Sequence, residues 1–153
     1  MPDPLKERYF EDYRKGEVAE IGEYLITREE IVDFARRYDP QPFHLDEDAA
    51  RDSMFGGLVA SGWMTCGVLM RMLVDHFVSP VASMGSPGID ELRWLKPVRP
   101  GDRLRARVTV TDLRRSSSKP DRGVIHFHQE AINQHDEVVL SMRGMGMYKC
   151  RPG

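Results

Sequence analysis

The spacing of hydrophobic positions changes once along the chain. Between residues 27 and 78, apolar residues recur three or four positions apart, which is typical of helices that bury one face. After residue 89, apolar and polar residues alternate, which is typical of strands in a half-buried sheet. Helices followed by a run of strands predict an α+β fold with helices on one face of an antiparallel sheet.

Local signals divide the first half into segments. A first strand, or two short ones, is expected over residues 17–26. Thr27 and Glu30 have the spacing of a capping box that opens a helix, and this helix must end near Asp39 because Pro40 disfavours helical geometry in the residue before it. Asp46 is expected to cap a second short helix over residues 47–52. A long, largely buried helix is predicted over residues 61–78 from Met64, Val68, Leu69, Met72, Leu73 and Phe77.

Four strands are predicted after this helix. The clearest has Leu104, Ala106, Val108 and Val110 on one face and arginines on the other. The remaining three are expected at residues 89–96, 124–132 and 138–148, with a turn at 133–136 and a long polar hairpin loop at 116–121. One long apolar helix before a strand meander predicts a sheet wrapped around that helix, which is the hot-dog layout.

Length and composition limit the classes of protein to consider. The 153 residues are expected to form one domain, 1–153, with a short N-terminal extension of about residues 1–12. A formal charge of −2 provides no global basic field for nucleic acid or an anionic membrane. Cys66 and Cys150 are expected to be free thiols in a reducing compartment, and the N-terminus has no apolar signal segment. A soluble, cytoplasmic protein is expected.

Residues 39–46 and 56–63 carry the candidate chemistry. Asp39 lies five residues before His44, and Pro40 and Pro42 stiffen the connection between them. Histidine can take up and return a proton near neutral pH, and a nearby carboxylate can orient it or share the proton. The amide of Gly62, at the start of the long helix, suits an oxygen that becomes negative, and a side chain there could hinder a ligand's approach. Taken alone, these residues favour a purely structural interpretation, in which Asp39 only ends its helix before Pro40 and His44 is a loop histidine with satisfied hydrogen bonds.

These residues resemble those of the MaoC-like acyl dehydratases, the family that includes the (R)-specific enoyl-CoA hydratases. The family pattern is an Asp, four residues, a His followed by Leu-Asp, and a Gly at the start of the long helix; Asp39, His44, Leu45, Asp46 and Gly62 match it. Residues 95–102 also resemble the strand and turn that follow in that family. The resemblance implies a hot-dog fold and a lyase that adds or removes water across the Cα–Cβ bond of an acyl-CoA. Asp39 and His44 would be the catalytic pair, and the Gly62 amide would stabilise the thioester oxygen.

The chain departs from the family pattern at two positions. Ser61 stands where many members have a His, and Met70 stands where many have a Ser that supports the catalytic Asp. Thr65 is a candidate to replace that support. Ser61, Trp63 and Thr65 are the expected substrate-binding residues beside Gly62, and the departures leave the acyl chain of the substrate open.

The resemblance also implies partners and leaves rival functions. Coenzyme A would enter only as part of the substrate, no metal or redox cofactor would be needed, and a homodimer or higher oligomer is expected. The rivals are a hot-dog acyl-CoA thioesterase and a non-catalytic acyl-CoA-binding protein. Two further groups have open roles: a metal set or a solvated face for His126, His128 and Glu130, and solvated side chains or coenzyme A phosphate ligands for Arg103, Arg105 and Arg107.

Overall fold

Five antiparallel strands form one sheet in the computed structural model, which describes residues 4–153. They are β1 (Val18–Leu25), β2 (Ile89–Trp94), β3 (Arg103–Arg115), β4 (Arg122–Ile132) and β5 (Val138–Lys149), in the spatial order β1-β3-β4-β5-β2. The four strands predicted in the second half are therefore confirmed, and residues 17–26 contribute one strand. The alternating positions of β3 also have the predicted orientation, since Leu104, Ala106, Val108 and Val110 are all buried.

Four α-helices precede the last four strands: α1 (Arg28–Tyr38), α2 (Pro42–Leu45), α3 (Glu47–Arg51) and α4 (Gly62–His76). The predicted long helix is α4, and the six apolar residues assigned to its face are buried. It packs on the sheet most closely over β1, where Gly22 adopts a positive φ of 79° and a Cβ would come within 2.9 Å of the Met72 side chain. None of the helices formed by residues 4–153 is long and apolar enough to cross a bilayer.

The short helices agree with their predicted caps with two exceptions. Thr27 accepts a hydrogen bond from the Glu30 amide at 3.2 Å, but the Glu30 carboxylate does not complete a capping box; it accepts the Tyr24 hydroxyl hydrogen bond instead. Asp46 caps α3 as expected, through the Asp48 amide. The single turn of α2, with Pro42 at its start, was not expected from the sequence, and it carries His44.

The N-terminal extension packs against the sheet. Its described part forms two 3₁₀ turns, Pro4–Glu7 and Phe10–Asp12. The Phe10 ring lies so close to Gly123 on β4 that a Cβ there would be 2.3 Å from it. Tyr13 is buried with its ring centroid 5.2 Å from that of Tyr148, and the Arg8 guanidinium lies 4.0 Å from the centroid of the Tyr13 ring. This segment therefore contributes to the core although its own sequence has no regular apolar spacing.

Candidate active site

Asp39 and His44 are adjacent in space. Asp39 is the C-terminal cap of α1, and the chain turns through Pro40 and Pro42 into α2, which places the His44 ring beside it. His44 Nε2 lies 3.3 Å from Asp39 Oδ2. His44 is only 5% exposed, so little water lies beside the imidazole to screen its electrostatic interaction with the Asp39 carboxylate. The structure thus brings together the two residues that the sequence suggested as a pair.

The backbone fixes the proton position on the imidazole. His44 Nδ1 lies 2.7 Å from the carbonyl oxygen of Val59. A carbonyl oxygen can only accept, so Nδ1 carries a proton and donates it. In the neutral ring, Nε2 therefore presents its lone pair towards Asp39 Oδ2. Two acceptors lie 3.3 Å apart here, and a water molecule can donate one hydrogen bond to each of them.

Gln41 and Ser61 both favour the charged form of the Asp39 carboxyl. Gln41 Nε2 donates to Oδ1 at 2.6 Å, and hydrogen bonding by the Ser61 hydroxyl lowers the pKa of the carboxyl. Desolvation, the largest single influence, raises the pKa of the Asp39 carboxyl. The two hydrogen bonds and the neighbouring His44 together outweigh it, so that the pKa of Asp39 lies below its ordinary value. The carboxylate is thus kept ionised next to His44.

Ser61 connects this carboxylate to α4. Its hydroxyl oxygen accepts the Trp63 amide at 3.3 Å and so caps the helix, as expected, and the same hydroxyl lowers the pKa of Asp39. Ser61 is fully buried and does not line the cavity described below. The sequence suggested it as a substrate-binding residue, and its position differs from that expectation. The carboxylate support that the sequence suggested for Thr65 is therefore supplied by Ser61 and Gln41. Met70, at the family's Ser position, is half-exposed and lines a second, apolar cavity of about 330 Å³.

Replacement of Ser61 by Ala is expected to raise the pKa of Asp39, because it removes one of the hydrogen bonds that favour the charged form. Because the pKa of Asp39 is lowered in the folded state, its ionisation stabilises the fold at pH values above the unfolded-state pKa. This stabilisation is lost as the pH falls through the folded-state pKa, and it is expected to be smaller in the variant. Loss of the cap costs about 1 kcal/mol in addition. Carbon-detected NMR titration of the Asp39 carboxyl measures the shift.

Thr27→Ala is the matched control for Ser61→Ala, since Thr27 caps α1 by the same kind of bond without touching Asp39. It is expected to lower stability by a similar amount and to leave the Asp39 pKa unchanged. An Asp39 pKa that is the same in Ser61→Ala as in the wild type would contradict the assigned hydrogen bond.

Gly62 begins α4 and offers a free amide. The first amides of a helix have no acceptor within the helix, and that of Gly62 has none elsewhere among residues 4–153. A Cβ at Gly62 would lie 2.4 Å from Cε2 of Trp94. Packing against this indole therefore requires the glycine, whereas the sequence suggested only the approach of a ligand as the reason. Trp94 also meets Trp63 edge to face, with ring centroids 5.1 Å apart.

These groups open into one cavity of about 620 Å³. Five of the six predicted site residues line it together, and Ser61 does not: Asp39, His44, Gly62, Trp63 and Thr65. Sequence reasoning missed several other lining residues, which come from the turn after α1, from α2, from the loop before α4 and from the end of β2 onward: Gln41, Phe43, Met54, Phe55, Val59, Ala60, Trp94, Leu95, Lys96, Pro97, Val98, Arg99 and Val139. The cavity walls are mostly apolar and aromatic, and Asp39 and His44 are among its polar lining residues.

The remaining candidates lie elsewhere and are engaged with other partners. His128 Nε2 is 2.8 Å from the Ser141 hydroxyl, and Glu130 forms a two-pronged ion pair with Arg107. Burial, the largest influence, lowers the pKa of His128. Within residues 4–153 no three His, Cys, Asp or Glu side chains come together as a metal-binding set.

Known proteins similar to the chain point to one family. Residues 13–130 match the family described as "MaoC like domain". The (R)-specific enoyl-CoA hydratase of Rhodospirillum rubrum is 33% identical over 112 residues, which cover 72% of this chain and 75% of that protein. The 3-hydroxybutyryl-CoA dehydratase of Methylorubrum extorquens is 34% identical over 114 residues, covering 74% of this chain and 70% of that protein.

A solved structure agrees with the fold. The crystal structure of the MaoC-like dehydratase from Rhodospirillum rubrum superposes with a TM-score of 0.89 at 40% identity, and the match covers 95% of this chain and 99% of that one. The hot-dog fold and the resemblance seen in residues 39–62 are both confirmed. With most of its length matched by the family, the chain belongs to the MaoC-like dehydratases.

Proposed function

We propose that this protein is a hydratase/dehydratase that adds water to, or removes it from, the Cα–Cβ bond of an acyl-CoA thioester. The observation that carries the proposal is the 3.3 Å pair of His44 Nε2 and Asp39 Oδ2 in a cavity that also contains the free amide of Gly62. Hydration needs a group that takes a proton from water, a group that returns one to Cα, and a donor for the thioester oxygen. The cavity contains candidates for all three tasks. The names of the hydratase and dehydratase relatives support coenzyme A thioesters as the substrates.

The positions of the two acceptors support the following reaction path. A water molecule donates one hydrogen bond to His44 Nε2 and one to Asp39 Oδ2. As its oxygen bonds to Cβ, one proton passes to the pair and the electrons of the double bond move towards the thioester carbonyl, whose oxygen accepts the Gly62 N–H bond. The pair then returns one proton to Cα, so that water is added and both residues regain their starting states. Dehydration is the same path in reverse.

Proton transfer of this kind requires no metal or redox group. The role of His44 as the base is supported by the fixed proton on Nδ1, which leaves Nε2 free to accept. The ionised state of Asp39, favoured by Gln41 and Ser61, supports a role in orienting water and sharing the proton. Trp63 and Thr65 are proposed to line the acyl-binding part of the cavity.

Incubation with crotonyl-CoA separates this function from its rivals. Hydration removes the absorbance of the conjugated enoyl group without releasing thiol, which a thiol reagent would detect. A thioesterase would release free coenzyme A thiol, and a non-catalytic binding protein would be stabilised thermally by the ligand without turning it over. Thiol release, or no reaction with a series of enoyl-CoA and 3-hydroxyacyl-CoA thioesters, would contradict the proposal.

We also propose a homodimer formed through β2 and α4. β2 is an edge strand, and an unpaired edge invites pairing with a second chain. Around it lie exposed apolar residues: Trp63, Met70 and Val74 on one face of α4, and Ile89, Trp94 and Leu95 on or just after β2. A contiguous patch of this kind is typical of an interface. Because Trp63 and Trp94 also line the cavity, the second subunit would lie beside its mouth.

Light scattering is expected to give twice the mass of one chain for the wild type, and about the mass of one chain for Val74→Glu, which places a charge in the apolar patch. Val18→Glu is the matched control, because Val18 is also an exposed valine, 57% against 45% for Val74, but lies on β1, at the opposite edge of the sheet. It is expected to remain dimeric. A monomeric wild type, or a dimer lost only in Val18→Glu, would contradict this interface.

A further inference from the structure

Three alternating arginines at the start of β3 are already paired with carboxylates. Arg103 pairs with Glu23 at 2.9 Å, Arg105 with Asp136 at 2.8 Å, and Arg107 with Glu130 at 2.9 Å. A guanidinium that is neutralised by a fixed carboxylate has little charge left to attract an anionic ligand. These three arginines are therefore poor candidates for binding a phosphate. The cations that line the cavity are better placed to do so.

Two cations line the cavity, Lys96 and Arg99, and only one of them has an acidic partner. Lys96 forms an ion pair with Glu137. Arg99 donates its backbone amide to Asp102 Oδ2 at 2.9 Å, but its guanidinium forms no ion pair with a carboxylate among residues 4–153. Its guanidinium instead donates from Nη2 to the Phe55 carbonyl oxygen at 2.6 Å. Arg99 is thus the cation of the cavity wall whose side chain forms no ion pair within residues 4–153.

The surroundings of Arg99 hold the guanidinium in place. A Cβ at Gly57 would lie 3.3 Å from Nη1, so the glycine leaves the room that the guanidinium occupies. The segment that carries Arg99 is tied to the start of α4, because the Val98 carbonyl accepts the Ala60 amide at 2.8 Å, two residues before Gly62. One terminal nitrogen is used by Phe55, and the other donors of the planar fork remain available.

We propose that Arg99 is an anion-recognition residue of this cavity and binds a phosphate or carboxylate carried by the thioester ligand. The inference rests on the proposed function, in which the ligand is an acyl thioester. The anion has two possible sources with the same chemistry: the phosphates of the coenzyme A carrier, or a carboxylate at the far end of a dicarboxylic acyl chain. A guanidinium binds both through charge-assisted hydrogen bonds, often in pairs. Because Arg99 is exposed, its attraction weakens with added salt.

Calorimetric binding of unreactive thioesters tests the inference without relying on turnover. The ligands are butyryl-CoA, butyryl-pantetheine, which lacks the phosphates, and succinyl-pantetheine, which restores only an acyl carboxylate. The proteins are the wild type, Arg99→Gln, Arg99→Lys and the control Arg37→Gln, an exposed arginine of α1 outside the cavity. Arg99→Gln is expected to lower the affinity for an anionic ligand about tenfold, as for loss of a charge-assisted hydrogen bond. Arg99→Lys is expected to lower this affinity less. Arg37→Gln is expected to bind like the wild type.

The outcomes distinguish the sources of the anion. A loss in Arg99→Gln that is confined to butyryl-CoA assigns the phosphates, and a loss confined to succinyl-pantetheine assigns an acyl carboxylate. Equal binding by wild type and Arg99→Gln, an equal loss for all three ligands, or no binding of any ligand by the wild type would overturn the inference. Crotonyl-CoA turnover by the wild type, measured separately, shows whether the proposed function has failed instead, since an Arg99-dependent affinity can persist in a protein that is not a hydratase.

Discussion

Asp39→Asn is expected to reduce kcat for crotonyl-CoA hydration by about 10²–10⁴-fold, the range typical of a lost acid–base group. Asparagine has nearly the shape of aspartate and can keep an oxygen towards the Gln41 amide, but it cannot take up or return a proton beside His44. The loss should therefore appear in kcat more than in folding. The rate of disappearance of the enoyl absorbance measures it, and thermal unfolding checks the fold.

Asp46→Asn is the matched control for Asp39→Asn. Asp46 is a neighbouring carboxylate that caps α3 through the Asp48 amide at 2.8 Å and does not line the cavity. Asparagine is about as good a cap as aspartate, so this variant is expected to retain near-native activity. Near-native turnover by Asp39→Asn would exclude the proton role assigned to its carboxylate.

His44→Ala is expected to reduce kcat by a similar factor of about 10²–10⁴, because Nε2 is the proposed proton acceptor for water. Since the alanine also leaves a gap in a buried position, His44→Gln serves as a second variant: its side-chain amide can donate to the Val59 carbonyl but has no titratable nitrogen. Both variants are expected to lose activity. His128→Gln, at a histidine that contacts Ser141 outside the cavity, is the control and is expected to remain active.

The double variant Asp39→Asn/His44→Gln adds a test of the pair as a unit. Residues that act on the same proton are strongly non-additive, so the double variant should be scarcely slower than the slower single variant. Losses that multiply would indicate two independent roles, and near-native turnover by His44→Gln would exclude the imidazole as the base.

The sequence predicted most of the fold because its periodicities are local and strong. The face of α4 and the alternation of β3 follow from spacing alone, and both are observed. The single turn of α2 is too short to produce a periodic pattern, and its Pro42 suggested only a stiff connection. The packing of Phe10 on Gly123 depends on residues 113 positions apart, which no local pattern could reveal.

The site was predictable to the extent that its residues are close in sequence. Asp39 and His44 are five residues apart with two prolines near them, so their meeting could be expected. Gln41 lies between them and could have been found by asking which neighbour satisfies the carboxylate. The Ser61–Asp39 bond, the Val59 carbonyl that fixes His44 and the Trp94 indole over Gly62 all join distant segments. The arginines of β3 attracted attention by their regular spacing, but their carboxylate partners come from three other segments of the chain.

Hydration of crotonyl-CoA in D₂O, followed by NMR of the product, is the sharpest test of the proposed reaction. The expected product is a 3-hydroxybutyryl thioester with oxygen newly bonded to Cβ and one deuterium at Cα, still attached to coenzyme A. Asp39→Asn and His44→Gln are expected to form this product far more slowly. Free coenzyme A together with crotonate that keeps its Cα–Cβ double bond, or crotonyl-CoA recovered unchanged, would contradict the proposed reaction.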